Sequence, residues 1–114
     1  MILIRKSESE EIVPPLHYDI FNQRIVNPDD AGGVKIAVSR LEPGGYAESH
    51  VHAGEFQVFY VLEGRISISG EKNEMELSEG MGVIVEPGEE HRVSGVGREK
   101  ARYLLVTYSP VKQS

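Results

Sequence analysis

The sequence predicts an all-β fold, a sandwich or barrel of short strands, on three observations. Short apolar runs recur at intervals of roughly ten residues, the spacing of strands joined by tight turns. The 12 glycines and 6 prolines of this 114-residue chain fall between those runs rather than in a tail. No segment of helical length carries a helical period. About eight to ten strands are expected.

Residues 1–4 (MILI) read as a short strand, and residues 7–11 as a polar connection that Pro14-Pro15 extends. Residues 17–26 (HYDIFNQRIV) have mixed periodicity and read as a strand or an irregular segment. Asn27-Pro28-Asp29-Asp30 and Gly32-Gly33 mark turns. In residues 34–41, Val34, Ile36 and Val38 alternate with Lys35 and Ser39, a half-buried strand that Glu42-Pro43-Gly44-Gly45 ends. Residues 57–62 are apolar on both parities, with Gln57, Phe59 and Val61 on one face and Val58, Tyr60 and Leu62 on the other. Gly64 closes that strand. Residues 65–69 alternate again, with Ile66 and Ile68 on one side, and residues 74–77 return as the second arm of a hairpin. Residues 83–85 form a strand that Pro87-Gly88 stops just before His91, and residues 101–108 form the last strand, ended by Pro110. No linker or tandem repeat divides the chain, so residues 1–114 read as one domain, long enough to bury a core unaided.

The net charge of −6 argues against nucleic acid and against an anionic membrane surface, both of which need a surplus of Lys and Arg on one face. The absence of cysteine excludes disulfides, thiolate metal sites and a thiol nucleophile. Only four apolar residues precede the first charges, too few for a signal peptide, and no run approaches a membrane span. A cytoplasmic protein is the expectation.

The chemistry concentrates in residues 44–64, GGYAESHVHAGEFQVFYVLEG. His50 and His52 stand two apart, so on a strand both imidazoles leave one face. Gln57 lies at an odd offset from them. A turn at Ala53-Gly54 lets it open the neighbouring strand and face back inward. His91 arrives from elsewhere, past a Pro-Gly turn, so that three imidazoles and one amide oxygen can meet in the mouth of a barrel. Glu55 is a rival ligand, two residues before Gln57.

Gly44, His50, His52 and Gly64 stand in register with the first motif of the cupin superfamily, and Gln57 falls where that family usually has a glutamate. Gly80, Glu86-Pro87-Gly88 and His91 resemble the second motif, with the proline displaced by one position and Gly95 in place of the usual asparagine. The resemblance covers residues 44–91 and implies a single cupin domain over 1–114. Its fold would be a small antiparallel β-barrel of the double-stranded β-helix or jelly-roll kind. It also implies one divalent transition metal held by His50, His52, Gln57 and His91. A nitrogen and oxygen set without thiolate suits Mn, Fe, Co, Ni or Zn and does not choose among them. A neutral glutamine in place of a carboxylate leaves the ion its full charge, which favours an anionic ligand.

The ligand set and Tyr108-Ser109-Pro110 resemble, in part, the cupins that linearise unsaturated uronates. Those enzymes carry an aspartate where this chain has Val106, so their acid–base carboxylate is missing here. Lys112 stands where a basic residue follows the proline. The expected function is a metal-binding cupin that acts on or binds a small anionic metabolite, a sugar acid or carboxylate. As an enzyme it would be a metal-dependent isomerase or lyase. The alternatives are a non-catalytic small-molecule-binding or sensor cupin and a metal-dependent dioxygenase. Tyr108, Phe59 and Arg102 are the substrate-binding candidates, and His17 is a further one from the N-terminal segment. Val58, Tyr60 and Leu62, together with Tyr103 and Leu105, read as an apolar outward face, so a homodimer is expected.

Overall fold

The computed structural model describes residues 1–109, and of His50 the backbone alone. Nine antiparallel strands make one sheet: β1 (Glu11–Ile12), β2 (His17–Val26), β3 (Val34–His50), β4 (Phe56–Glu63), β5 (Arg65–Gly70), β6 (Glu74–Ser78), β7 (Gly82–Val85), β8 (His91–Gly95) and β9 (Ala101–Tyr108). The path runs β6-β5-β8-β3-β9-β4-β7, with β2 pairing β3 and β1 pairing β2. The sheet curls into a nearly closed barrel. Among the described residues the helical segments are single 3-10 turns, Lys6–Glu8 and Pro28–Asp30, and no helix is long and apolar enough to cross a membrane.

The expected hairpin is β5–β6, with Ile66 opposite Leu77 and Ile68 opposite Met75. The side chains of Ile20, Leu41, Val61, Ile66, Val93 and Tyr103 are fully buried and fill the barrel. Burial of a side chain of this size contributes about 1.5–3 kcal/mol. Residues 1–4 are not a strand. They find no sheet partner, and Met1, Ile2, Leu3 and Ile4 lie exposed. Pro110 and Lys112 lie outside the described residues.

The largest departure from expectation is β3, which does not stop at Glu42-Pro43-Gly44-Gly45. It runs for 17 residues. Tyr18 pairs with Tyr46 and Ile20 with Leu41, so residues 42–45 are accommodated as an irregularity opposite Asp19. Asp19 itself takes a positive φ of 55°. Turn chemistry therefore bends this strand instead of ending it. Its first half then pairs with β9 and its second half with β8.

Register also corrects which residues face outward. On β4 and β9, Gln57 pairs with Thr107, Phe59 with Leu105 and Val61 with Tyr103. Residues directly opposite in an antiparallel pair share a face, so Tyr103 and Leu105 point inward with Gln57 and Phe59. Tyr103 is 2% exposed. The outward partners of Val58 and Tyr60 are Val106 and Leu104.

Candidate functional site

The inward rows of β2, β3, β9 and β4 form one wall of a cavity of about 410 Å³. One row runs Lys35, Thr107, Gln57, and the next runs Arg24, Ala37, Leu105, Phe59. Below them Asn22, Ser39 and Tyr103 continue the series towards the core. Ser39 Oγ donates to Asn22 Oδ1 at 2.7 Å. Burial pushes the Tyr103 phenol up to about 12, partly opposed by its hydrogen bond with Ser39. Residues 12–17 arrive from the N-terminal side and supply Ile12, Pro14, Pro15, Leu16 and His17 to the rim.

His52 lies beyond the end of β3, in the connection to β4, and lines the cavity from there. Its backbone carbonyl accepts from Gly88 N at 3.1 Å, which ties this connection to the turn before β8. Its Nδ1 faces Glu55 Oε1 at 3.3 Å, and Ser109 Oγ donates to Glu55 Oε2 at 2.9 Å. Glu55 thus stands behind His52 and orients it, outside the cavity lining. His91 opens β8 and is 2% exposed. Its Nδ1 lies 3.1 Å from the carbonyl oxygen of Glu89. A carbonyl only accepts, so Nδ1 carries the proton, and in the neutral ring Nε2 keeps the lone pair a metal requires.

The rings of His52 and His91 lie 5.8 Å apart, and Phe59 meets His91 edge-on at 5.8 Å. The backbone of position 50 pairs with His91 across β3 and β8. Among the described residues no three His, Cys, Asp or Glu side chains form a metal cluster; the side chain of His50 is not among those described. Gln57 offers a separate test of fit. Its side chain is buried, Nε2 donates to Thr107 Oγ1 at 3.4 Å, and Oε1 has no hydrogen-bond partner among the described residues. A buried amide oxygen left without a donor costs about 1–3 kcal/mol. A cation at that oxygen removes the cost. The donors present therefore fit a divalent ion.

Of the three substrate-binding candidates, Phe59 lines the cavity, whereas Arg102 and Tyr108 do not. Because Thr107 shares a row with Gln57, its neighbours on β9 must point the other way. Tyr108 is 39% exposed, and Arg102 pairs in register with Arg40 and Glu63 on the outer face. Val106 is outward as well, opposite Val58, so the inward group at this level is Thr107. His17 lines the rim, with Nδ1 2.8 Å from the Pro15 carbonyl. Lys35 and Arg24 had no place in the sequence-based site, and both line the cavity. The alternation of Val34, Ile36 and Val38 pointed to the opposite face of β3. Only the register Lys35–Thr107–Gln57 reveals the lysine's place.

A curled antiparallel sheet with imidazoles and a buried amide beside its cavity defines a small β-barrel. The chain belongs to the cupin domain family, whose model matches residues 37–107. It is similar to an uncharacterised protein of Methanocaldococcus jannaschii, 24% identical over 94% of this chain and 88% of that one. It is also similar to the oxalate-binding protein of Thermotoga maritima, 27% identical over 59% of this chain and 55% of that one. In fold it resembles the crystal structure of a predicted oxalate decarboxylase from Thermotoga maritima. The TM-score there is 0.84, with 21% identity and coverage of 96% of this chain and 100% of the other.

Proposed function

We propose that this cupin binds a divalent transition metal through His50, His52, Gln57 and His91 and holds a small carboxylate in the cavity beside it. The observation that carries the reading is the Gln57 amide oxygen, buried without a donor among the described residues, in a wall shared with His52. When bound, the ion would supply Lewis-acid polarisation of a ligand oxygen. Three neutral imidazoles and a neutral amide add no negative charge, so the site favours an anion. The cavity lining has the same sign. It includes Lys35 and Arg24 and, among the described residues, no carboxylate, in a chain of net charge −6. The similarity to an oxalate-binding protein, over just over half of each chain, supports a small anion.

The same lining favours binding without turnover as the second reading. With no Asp or Glu facing the cavity among the described residues, proton transfer would fall to His17, Lys35 or Tyr103 among the lining side chains outside the ligand set. Elemental analysis of untagged protein, followed by a turnover screen against uronates, 2-oxo acids and oxalate, separates the two readings. Stoichiometric metal with turnover supports an enzyme, and stoichiometric metal without it supports the binding module. No metal after reconstitution overturns the ligand set. The outward apolar row, with Tyr60, Leu62, Ile84 and Tyr108 exposed, supports a homodimer. A single-chain mass by light scattering would rule that out.

A further inference from the structure

The lining of the cavity carries information about the shape of its anion. Arg24 lies opposite Ala37 across β2 and β3, and Lys35 stands two residues from Ala37 on the same inward face. The two cations are therefore diagonal neighbours across the irregular step of β2 between Arg24 and Val26, within reach of one another's long side chains. Like charges so placed disfavour one another, less so for the exposed Arg24, and an anion between them relieves the repulsion. Among the described residues neither one pairs with a carboxylate, although the chain has 18 acidic side chains to 12 basic ones.

Away from this pair the lining is mostly apolar. Phe59, Leu105 and Val93 form the inner surface, and Ile12 and Leu16 the rim. Of the polar side chains between them, Asn22 accepts from Ser39 and Gln57 donates to Thr107, while Gln57 Oε1 is the oxygen assigned to the metal. Few groups remain to satisfy the several hydroxyls of a sugar acid, and buried hydroxyls without partners are costly. The volume of about 410 Å³ falls in the range of drug-sized ligands and is several times that of a two-carbon dicarboxylate.

We propose that the anion is an amphiphilic monocarboxylate, its carboxylate bracketed by Lys35 and Arg24 and its aryl or branched alkyl body resting on Phe59, Leu105 and Val93. This rests on the reading of the cavity as an anion site, and it narrows that reading away from sugar acids and oxalate.

Isothermal titration of the full chain, EDTA-treated and Mn²⁺-loaded, with 3-phenylpropanoate, 3-phenylpropanamide, galacturonate and oxalate tests it. In the EDTA-treated chain, 3-phenylpropanoate binds at least about tenfold tighter than 3-phenylpropanamide, since a charge-assisted hydrogen bond is worth about that factor. It also binds at least about tenfold tighter than galacturonate and oxalate, which lack the apolar body whose burial is worth a similar factor. Lys35→Met and Arg24→Gln each weaken it about tenfold, and Lys35→Arg restores most of the loss. Both positions lie at the cavity edge outside the buried core, and unchanged melting temperatures confirm that the variants fold. Galacturonate or oxalate binding as tightly as 3-phenylpropanoate would overturn the amphiphilic assignment while leaving the anion site standing. Unchanged affinity in both charge variants would overturn the bracketing pair. No carboxylate binding in either form would remove the anion site itself, and the metal content, measured separately, decides the ligand set.

Discussion

Replacing Gln57 by leucine separates a metal ligand from an ordinary buried amide, because the two roles give stability changes of opposite sign. Without metal, the wild-type chain buries Oε1 without a donor, at a cost of about 1–3 kcal/mol. Leucine removes that oxygen at similar volume. It also removes the long hydrogen bond to Thr107, worth about 1 kcal/mol at most. The net expectation in EDTA is a gain of about 1 kcal/mol, or a rise of about 4 °C in melting temperature for a domain of this size. With saturating metal the balance reverses. Loss of one ligand that weakens metal binding a hundredfold removes about 2.7 kcal/mol of linked stability, so the variant melts several degrees below wild type. Thermal unfolding of both proteins in EDTA and in excess Mn²⁺ provides the four numbers needed. A variant that is less stable than wild type in EDTA, by the same margin as in metal, would refute the reasoning. The amide oxygen would then be a satisfied structural group.

Two further predictions concern the barrel itself. Burial raises the Tyr103 phenol to about 12 from 10, so its contribution to stability is fully present below pH 10 and is lost as pH rises through 12, roughly 3 kcal/mol in all. Urea unfolding at pH 9, 10.5 and 12 should show a shallower loss for Tyr103→Phe than for wild type, and equal slopes would contradict the assignment. Gly64 links β4 to β5 at a φ of +73°, and a Cβ there would sit 2.1 Å from the Lys100 carbonyl oxygen. Gly64→Ala should cost at least about 2 kcal/mol, from the left-handed backbone and the clash together. A midpoint unchanged in urea would count against the tight approach of β4–β5 to the segment before β9.

Of the strands from β4 to β9, all but β8 (His91–Gly95) were legible, because each is bounded by turn residues that the sheet respects. Gly64, the polar turn after Gly70 and Pro87-Gly88 all fall where strands end. β3 was not, because Pro43-Gly44-Gly45 has the local chemistry of a turn while three partner strands keep the chain extended through it. Local propensity was overridden by pairing, and pairing is a property of distant residues. The same limit explains the faces. Alternation identifies two sides of a strand without saying which is inner when both are apolar. Val34, Ile36 and Val38 therefore hid the inward Lys35, and Tyr108 was assigned the side that Thr107 occupies.

The histidine motif was readable in the sequence, but how the chain places it turns on a single irregular step of β3. Ala47 pairs with Val93, so a regular antiparallel ladder would bring position 49 opposite His91. A register shift between Ala47 and His50 puts position 50 there instead. One extra residue on one strand reverses which parity meets the partner's inward face. The spacing of His50 and His52 from Gly44 was readable as a motif. The physical basis for treating them as strand neighbours was only half right, since β3 ends at His50 and His52 is held by the Gly88 and Glu55 contacts of the following connection. The cationic pair carried no motif at all. Lys35 and Arg24 belong to the site through the register of β2, β3 and β9, and that register depends on the irregularities a linear reading takes for turns. In this barrel the motif encodes the proposed metal ligands, whereas the groups that would select the proposed anion are encoded by strand pairing alone.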